Sequence, residues 1–200
     1  LIERFRRRLG VAGIRVGLAA ARIHHTLPQE HANRSTIDEM ILRDAQPDDF
    51  DAILALNASE ETQTSPLDPA RLVLLDGMSS HHRVAVADGQ VAGFLLAMRS
   101  GAAYANDNFR WFSARYPRFL YVDRIVVSAA FSGRGIGSAL YDDLIASARS
   151  HADTHVVCEY NLQPPNPASA RFHMKYGFTE AGVLSHPDTG KRVSMQALPV

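Results

Sequence analysis

The chain has 200 residues, 46% of them hydrophobic and 21% charged, which is enough apolar material for one sizeable core. Its 21 basic and 21 acidic residues cancel, and this excludes a global electrostatic claim on nucleic acid or an anionic membrane as partner. A single cysteine, Cys158, excludes an intrachain disulfide and suits a reducing cytoplasm; it lies in the apolar run Val156-Val157-Cys158, where a buried structural thiol is the ordinary reading.

Charge is unevenly spread along the chain. Residues 1–39 hold seven arginines against four acids, so residues 40–200 carry a slight acidic excess of about three charges. The N-terminal segment has no unbroken run of about 18 apolar residues to cross a membrane, and Arg15 and Arg22 interrupt what a secretory signal needs. An organelle-targeting leader, or a surface helix with Phe5, Leu9 and Ala12 along one side, are alternative readings. Met40 stands directly before the first strand-like run. Residues 1–39 are therefore expected to be a basic extension outside the native domain, which would span 40–200.

From Ile41 the elements follow in order. A strand at Ile41-Leu42-Arg43 gives way at Gln46-Pro47-Asp48-Asp49 to a helix with Phe50, Ile53, Leu54 and Leu56 at helical spacing. The polar loop Thr62 to Leu67 borders a substrate in this reading, and a second helix runs from Asp68 to Met78. Strands over 83–87 and 91–98 are joined at Asp88-Gly89, a hairpin signal because glycine supplies positive φ. A long connection from Arg99 to Arg118 carries Tyr104, Phe109, Trp111, Phe112 and Tyr116, which either anchor the loop to the core or meet substrate.

A central strand over 120–127 then enters Phe131-Ser132-Gly133-Arg134-Gly135-Ile136-Gly137-Ser138, followed by an amphipathic helix to about Ser150. Glycines here let the chain turn tightly, so that helix-start N–H groups converge where the helix dipole favours an anion. A phosphate or pyrophosphate is the expected ligand, although a plain structural turn uses the same residues. A strand over 155–160 leads to Asn166-Pro167, which opens a helix with Ala168, Phe172 and Tyr176 along one side and Gly177 as its stop. Two strands, around 180–184 and 193–198, end the chain. His151 and His155 have i,i+4 spacing but no third ligand near them, so no metal is expected.

The glycine turn together with the Asn166 helix ending in Gly177-Phe178 resembles the two hallmark motifs of the GNAT superfamily, the acyl-CoA-dependent N-acyltransferases. Gly135 and Gly137 match that family's turn, with Ser132 where Arg or Gln is common; Asn166, Lys175, Gly177 and Phe178 match its second motif, with His173 where many members carry Tyr. The resemblance implies an α/β fold with a GNAT-like mixed, mostly antiparallel central sheet, one parallel β-α-β crossover and helices on both faces. It implies acetyl-CoA as co-substrate, its pantetheine arm along the backbone of Ile125, Val126 and Val127 and beside Asn166. Its pyrophosphate would sit at Gly133, Arg134, Gly135, Ile136, Gly137 and Ser138. The backbone N–H near Val127 is the expected oxyanion donor.

Transfer to an amine needs a base, an oxyanion donor and a proton for the departing thiolate. Asp123 and Glu159 are the candidate bases; Asp123 has the alternative of pairing with Arg124 or Arg118, and Glu159 that of orienting a neighbouring strand or loop. His173 is the candidate acid, with Tyr160 and Tyr121 as substitutes. Trp111 and Tyr121 are the candidate acceptor contacts. The expected acceptor is the primary amine of a small or amino-acid-like molecule, with a protein N-terminus or lysine as runner-up, and a homodimer is the candidate assembly. A dinucleotide-binding oxidoreductase fits poorly, because Gly133-x-Gly135-x-Gly137 lacks the Gly-x-Gly-x-x-Gly spacing. An acyl-CoA-binding module without chemistry is the other competing class.

Overall fold

The computed structural model describes residues 40–200, so the expectation for the basic extension lies outside the described residues. Strand β1 (Ile41–Asp44) passes through a 3-10 turn into α1 (Phe50–Ser59), and α2 (Pro69–Met78) follows a polar loop. The antiparallel hairpin β2 (His81–Ala87) and β3 (Gln90–Arg99) turns at Asp88-Gly89, both with positive φ as that tight turn requires. Next come α3 (Asp107–Ser113), β4 (Phe119–Val127), α4 (Ile136–Ser150), β5 (His155–Gln163), α5 (Pro167–Tyr176), β6 (Thr179–His186) and β7 (Lys191–Pro199). The connection read as a loop over 99–118 contains α3. Its start is fixed by Asn106, whose Oδ1 accepts the Phe109 N–H at 3.0 Å, and Phe109 and Phe112 bury themselves one turn apart.

All seven strands form one sheet in the order β1-β2-β3-β4-β5-β7-β6. Only β4 and β5 run parallel, joined by α4 as the crossover. Period-two alternation sorts side chains into two layers. Phe94, Leu96 and Met98 of β3 pack with Ile53 of α1, Leu72 and Leu75 of α2, and Phe109 and Phe112 of α3. The intervening Leu95 and Ala97 face Leu140, Tyr141 and Leu144 of α4 on the other side. Burying each of these larger side chains contributes about 1.5–3 kcal/mol, so the two layers hold the helices in place.

Two irregularities in β4 shape the centre of the molecule. Leu96 pairs with Arg124 and Ala97 with Val122, which leaves Asp123 without a β3 partner, as a bulge. The bulge places Asp123 and Arg124 toward the same layer instead of alternating them. Pairing with β5 also stops early, running only from Phe119↔His155 to Tyr121↔Val157. Beyond that point β4 stays with β3 while β5 stays with β7, and the two parallel strands part.

Gly93 lets β3 approach β4 at this place. A Cβ there would lie 2.9 Å from the Val126 carbonyl oxygen and 3.1 Å from Ile136 Cγ2. Gly93→Ala is expected to destabilise the fold by about 1–3 kcal/mol, read as a lower urea midpoint, because backbone and a buried side chain must both give way.

Candidate active site

The parting of β4 and β5 opens a cleft of about 980 Å³. One side is lined by Ile125, Val126 and Val127 of β4, by Ser132 and Gly137 of the glycine turn, and by Asn166 and Phe172. The other side is built from the loop between α1 and α2, residues ahead of and inside α3, and the turn between β6 and β7. That first loop is tied down at three points. Arg124 donates to Asn57 Oδ1 at 2.9 Å and Asn57 to the Ser65 carbonyl at 2.9 Å; Asn161 donates to the Gln63 carbonyl at 3.0 Å; Lys191 reaches the Thr64 carbonyl at 3.4 Å.

The two candidate carboxylates meet different surroundings. Asp123 accepts a short hydrogen bond from the Tyr104 hydroxyl and pairs with Arg124 Nε at 2.7 Å, so both its oxygens are engaged. Glu159 Oε1 accepts from Asn108 Nδ2 at 2.7 Å and from the Tyr121 hydroxyl at 3.0 Å, while its Oε2 is buried with no hydrogen-bond partner. Burial chiefly, with the nearby Asp123 charge adding to it, pushes the Glu159 carboxyl up to about 8; the Tyr121 and Asn108 hydrogen bonds and Arg124 oppose that rise. Asn108 is itself held through Oδ1, which lies 2.9 Å from His186 Nε2. Tyr121, a candidate acceptor contact, is therefore a fully buried donor to Glu159, its hydroxyl pKa raised first by burial.

His173 is buried on α5 and its ring is fixed on both sides. Nδ1 lies 2.8 Å from the Ser169 carbonyl, which can only accept, so Nδ1 carries the hydrogen and Nε2 accepts from the Tyr141 hydroxyl at 2.7 Å. Burial lowers the pKa of this imidazole. The Gly177-Phe178 stop contributes directly to its placement: Phe178 N donates to the His173 carbonyl at 3.1 Å, Gly177 N to that of Met174 at 3.0 Å, and the Phe178 and His173 rings lie 5.2 Å apart. This is a Schellman end with its hydrophobic contact, and it anchors the last turn that carries His173. At the other end of α5, Asn166 Oδ1 caps the helix by accepting from Ser169 N at 3.0 Å. Tyr160 stacks on His173 and also lines the cleft.

Gly133 and Gly135 both adopt φ of +78°, and a Cβ on either would meet no atom within 4 Å. The space beside them is open, and the backbone there is one that side chains rarely adopt. Ile136 is buried in the core, so at this turn it offers its N–H alone, with those of Gly137 and Ser138, from a first helical turn that has no intrahelical acceptor. Open backbone N–H groups at the turn, and a β4 edge that has lost its strand partner, fit a ligand with a pyrophosphate and an amide-bearing arm, as acetyl-CoA has. Arg134 bridges to Asp88 of the β2–β3 turn at 2.8 Å. Trp111, expected to touch the acceptor, does not line the cleft. Its indole sits on Gly182 of β6, where a Cβ would come within 2.7 Å, and Arg115 covers its ring at 3.6 Å.

Sequence reasoning missed Asn108 and His186, which converge from α3 and β6 and have no common spacing to betray them; Tyr104 was singled out only as one of the aromatic residues of the connection, without its bond to Asp123. Tyr141 had a signal: it shares the buried face of α4 with Ile136, Leu140, Leu144 and Ala148.

Residues 43–178 match the Acetyltransferase (GNAT) family. Solved structures with the same fold include Ard1 from Thermoplasma volcanium, at TM-score 0.66 and 20% identity over 80% of this chain and 97% of that one. Another is yncA from Salmonella typhimurium with its cofactor acetyl-CoA, at TM-score 0.61 and 21% identity over 81% and 94%. A third is the Drosophila melanogaster polyamine N acetyltransferase, at TM-score 0.62 and 16% identity over 81% and 100%. Among curated proteins, no sequence matches this chain. The chain belongs to the GNAT acetyltransferase family, and that membership makes it an acyl-CoA-dependent N-acetyltransferase.

The Glu159 environment has a consequence for stability. Folded, Glu159 keeps its proton to about pH 8, against an ordinary value of 4.5, so the native state binds the extra proton between those limits and loses stability as pH rises through them. Glu159→Gln removes this contribution. Urea denaturation across pH is expected to show the wild-type free energy of unfolding falling relative to the variant's from about pH 4.5 to about pH 8, and running parallel to it above.

Proposed function

We propose that this protein transfers the acetyl group of acetyl-CoA directly to the primary amine of a small-molecule acceptor. The observation that carries this reading is the partnerless, buried Oε2 of Glu159, a residue that lines the cleft and whose carboxyl is pushed up to about 8. The three ties on the α1–α2 loop support a small acceptor over a protein one, because they hold a wall over the acceptor end of the cleft.

When bound, acetyl-CoA supplies the acyl thioester; Ile125, Val126 and Val127 would hold its amide arm, with Asn166 beside it. The N–H groups around Gly133 to Ser138 would hold its pyrophosphate, with Arg134 at the rim. In this mechanism Glu159 Oε2 takes a proton from the acceptor ammonium, leaving a neutral amine with a lone pair for attack. Asn108 and Tyr121 keep Oε1 occupied and so direct Oε2 at the amine. Asp123, paired with Arg124, acts through its charge on Glu159. At the sulfur end, the Tyr141 hydroxyl is the proton source: its one hydrogen points at His173 Nε2 and must turn from there to the departing thiolate, with His173 holding the hydroxyl until it does, since neither ring nitrogen of His173 offers a hydrogen to the cleft.

With saturating acetyl-CoA and a good amine, kcat/KM should rise with pH through a limb near 8 and level off once Glu159 is ionised. Glu159→Gln should lose that limb and about 100- to 10,000-fold in rate, measured as thiol release. A limb that survives the substitution refutes Glu159 as base.

His173→Phe and Tyr141→Phe should each lower kcat by about 10- to 100-fold, the double variant losing little more than either single one because the two act as a unit. Calorimetric affinity for acetyl-CoA should stay within about twofold of wild type in all three. Loss of affinity in step with kcat would assign the pair to binding.

A further inference from the structure

More carboxylates than Lys or Arg side chains line the cleft, but at its acceptor end they are unevenly paired. Asp123 is spent on Arg124, and Asp107 at the rim on Arg110. Glu60 and Asp188 are exposed at the rim, where water and salt screen them. Further in lie two half-buried cations, Arg71 and Lys191, and among the described residues neither forms an ion pair with a carboxylate.

Arg71 is held in place. It is the third residue of α2, its backbone N–H donates to the capping Asp68 Oδ1 at 2.8 Å, and its guanidinium carbon lies 5.7 Å from the centre of the Tyr104 ring. Tyr104 in turn packs on Tyr121 with ring centres 6.3 Å apart, and Tyr121 donates to Glu159 at 3.0 Å. One wall of the cleft therefore carries an unpaired guanidinium at one end and the proposed base at the other, with two tyrosine rings between. A guanidinium offers parallel N–H donors that match a carboxylate, and partial burial strengthens such a pair.

Building on the acetyl-transfer reading above, we infer that the acceptor is an amino carboxylate, its amine directed at Glu159 and its carboxylate seated on Arg71, with Lys191 adding positive potential. A polyamine would set its second ammonium against these same two cations.

The test uses the full chain with acetyl-CoA and matched amine pairs: alanine and ethylamine, 4-aminobutyrate and propylamine, 6-aminohexanoate and pentylamine, with spermidine alongside. At least one amino carboxylate is expected to exceed its decarboxylated match in kcat/KM by about tenfold or more. Arg71→Gln should lower kcat/KM for that carboxylate about 10- to 100-fold more than for the matched amine, chiefly through KM, while Arg71→Lys retains part of the preference. Retained acetyl-CoA affinity reports that the variants are folded. Preference for spermidine, or equal losses on both members of a pair, overturns the amino-carboxylate assignment and leaves acetyl transfer standing. Acetyl-CoA binding with no thiol release from any amine overturns both.

Discussion

The separation of β4 from β5 after three paired residues is the constraint on which the rest of the structure depends. Two adjacent parallel strands would normally satisfy one another's backbone groups to their ends; here the bulge at Asp123 bends β4 while β5 remains bound to β7. The cost is an edge of β4 with unpaired N–H and C=O groups facing a cleft. A ligand that carries its own amides can offset that cost, and the open glycine turn stands at the end of the same edge. Both faces of the sheet are covered by helices, α1, α2 and α3 on one side and α4 on the other.

The same bulge governs the electrostatics. Asp123 and Arg124, adjacent in sequence, are brought toward one layer, where they pair with each other and engage Tyr104 and Asn57. Glu159 faces this pair across the opening and has only neutral donors on one oxygen. Two acids on neighbouring strands thus acquire opposite characters from their surroundings, one neutralised by a fixed cation and one kept ready for a proton. The division extends beyond the centre: Arg124, through Asn57, also steadies the loop that walls the acceptor end, so charge pairing and cleft shape are maintained by one network.

Much of the fold was legible because local chemistry and tertiary packing agree. Asn166-Pro167 and Gly177-Phe178 mark the ends of α5, and Asp88-Gly89 the hairpin, through backbone preferences that any context would leave intact. The helix α3 was not legible: seven residues give too little periodicity, and its aromatic side chains read equally well as a loop anchored to the core. Trp111 illustrates the same limit. An indole in a long connection is chemically suited to a ligand, yet Gly182, 71 positions away by sequence, provides the flat surface it covers.

The sequence by itself determined the order and type of the long elements, the glycine turn, and the presence of Asp123, Glu159 and His173 on the segments that line the cleft, because each rests on interactions within a few residues. Only the tertiary structure decided what those side chains do. Glu159 depends on Asn108 and Tyr121 from two other elements, and His173 on Tyr141 from α4. Proton affinity and hydrogen-bond direction are set by burial and by partners distant in the chain, and neither quantity is encoded in a residue's own neighbourhood.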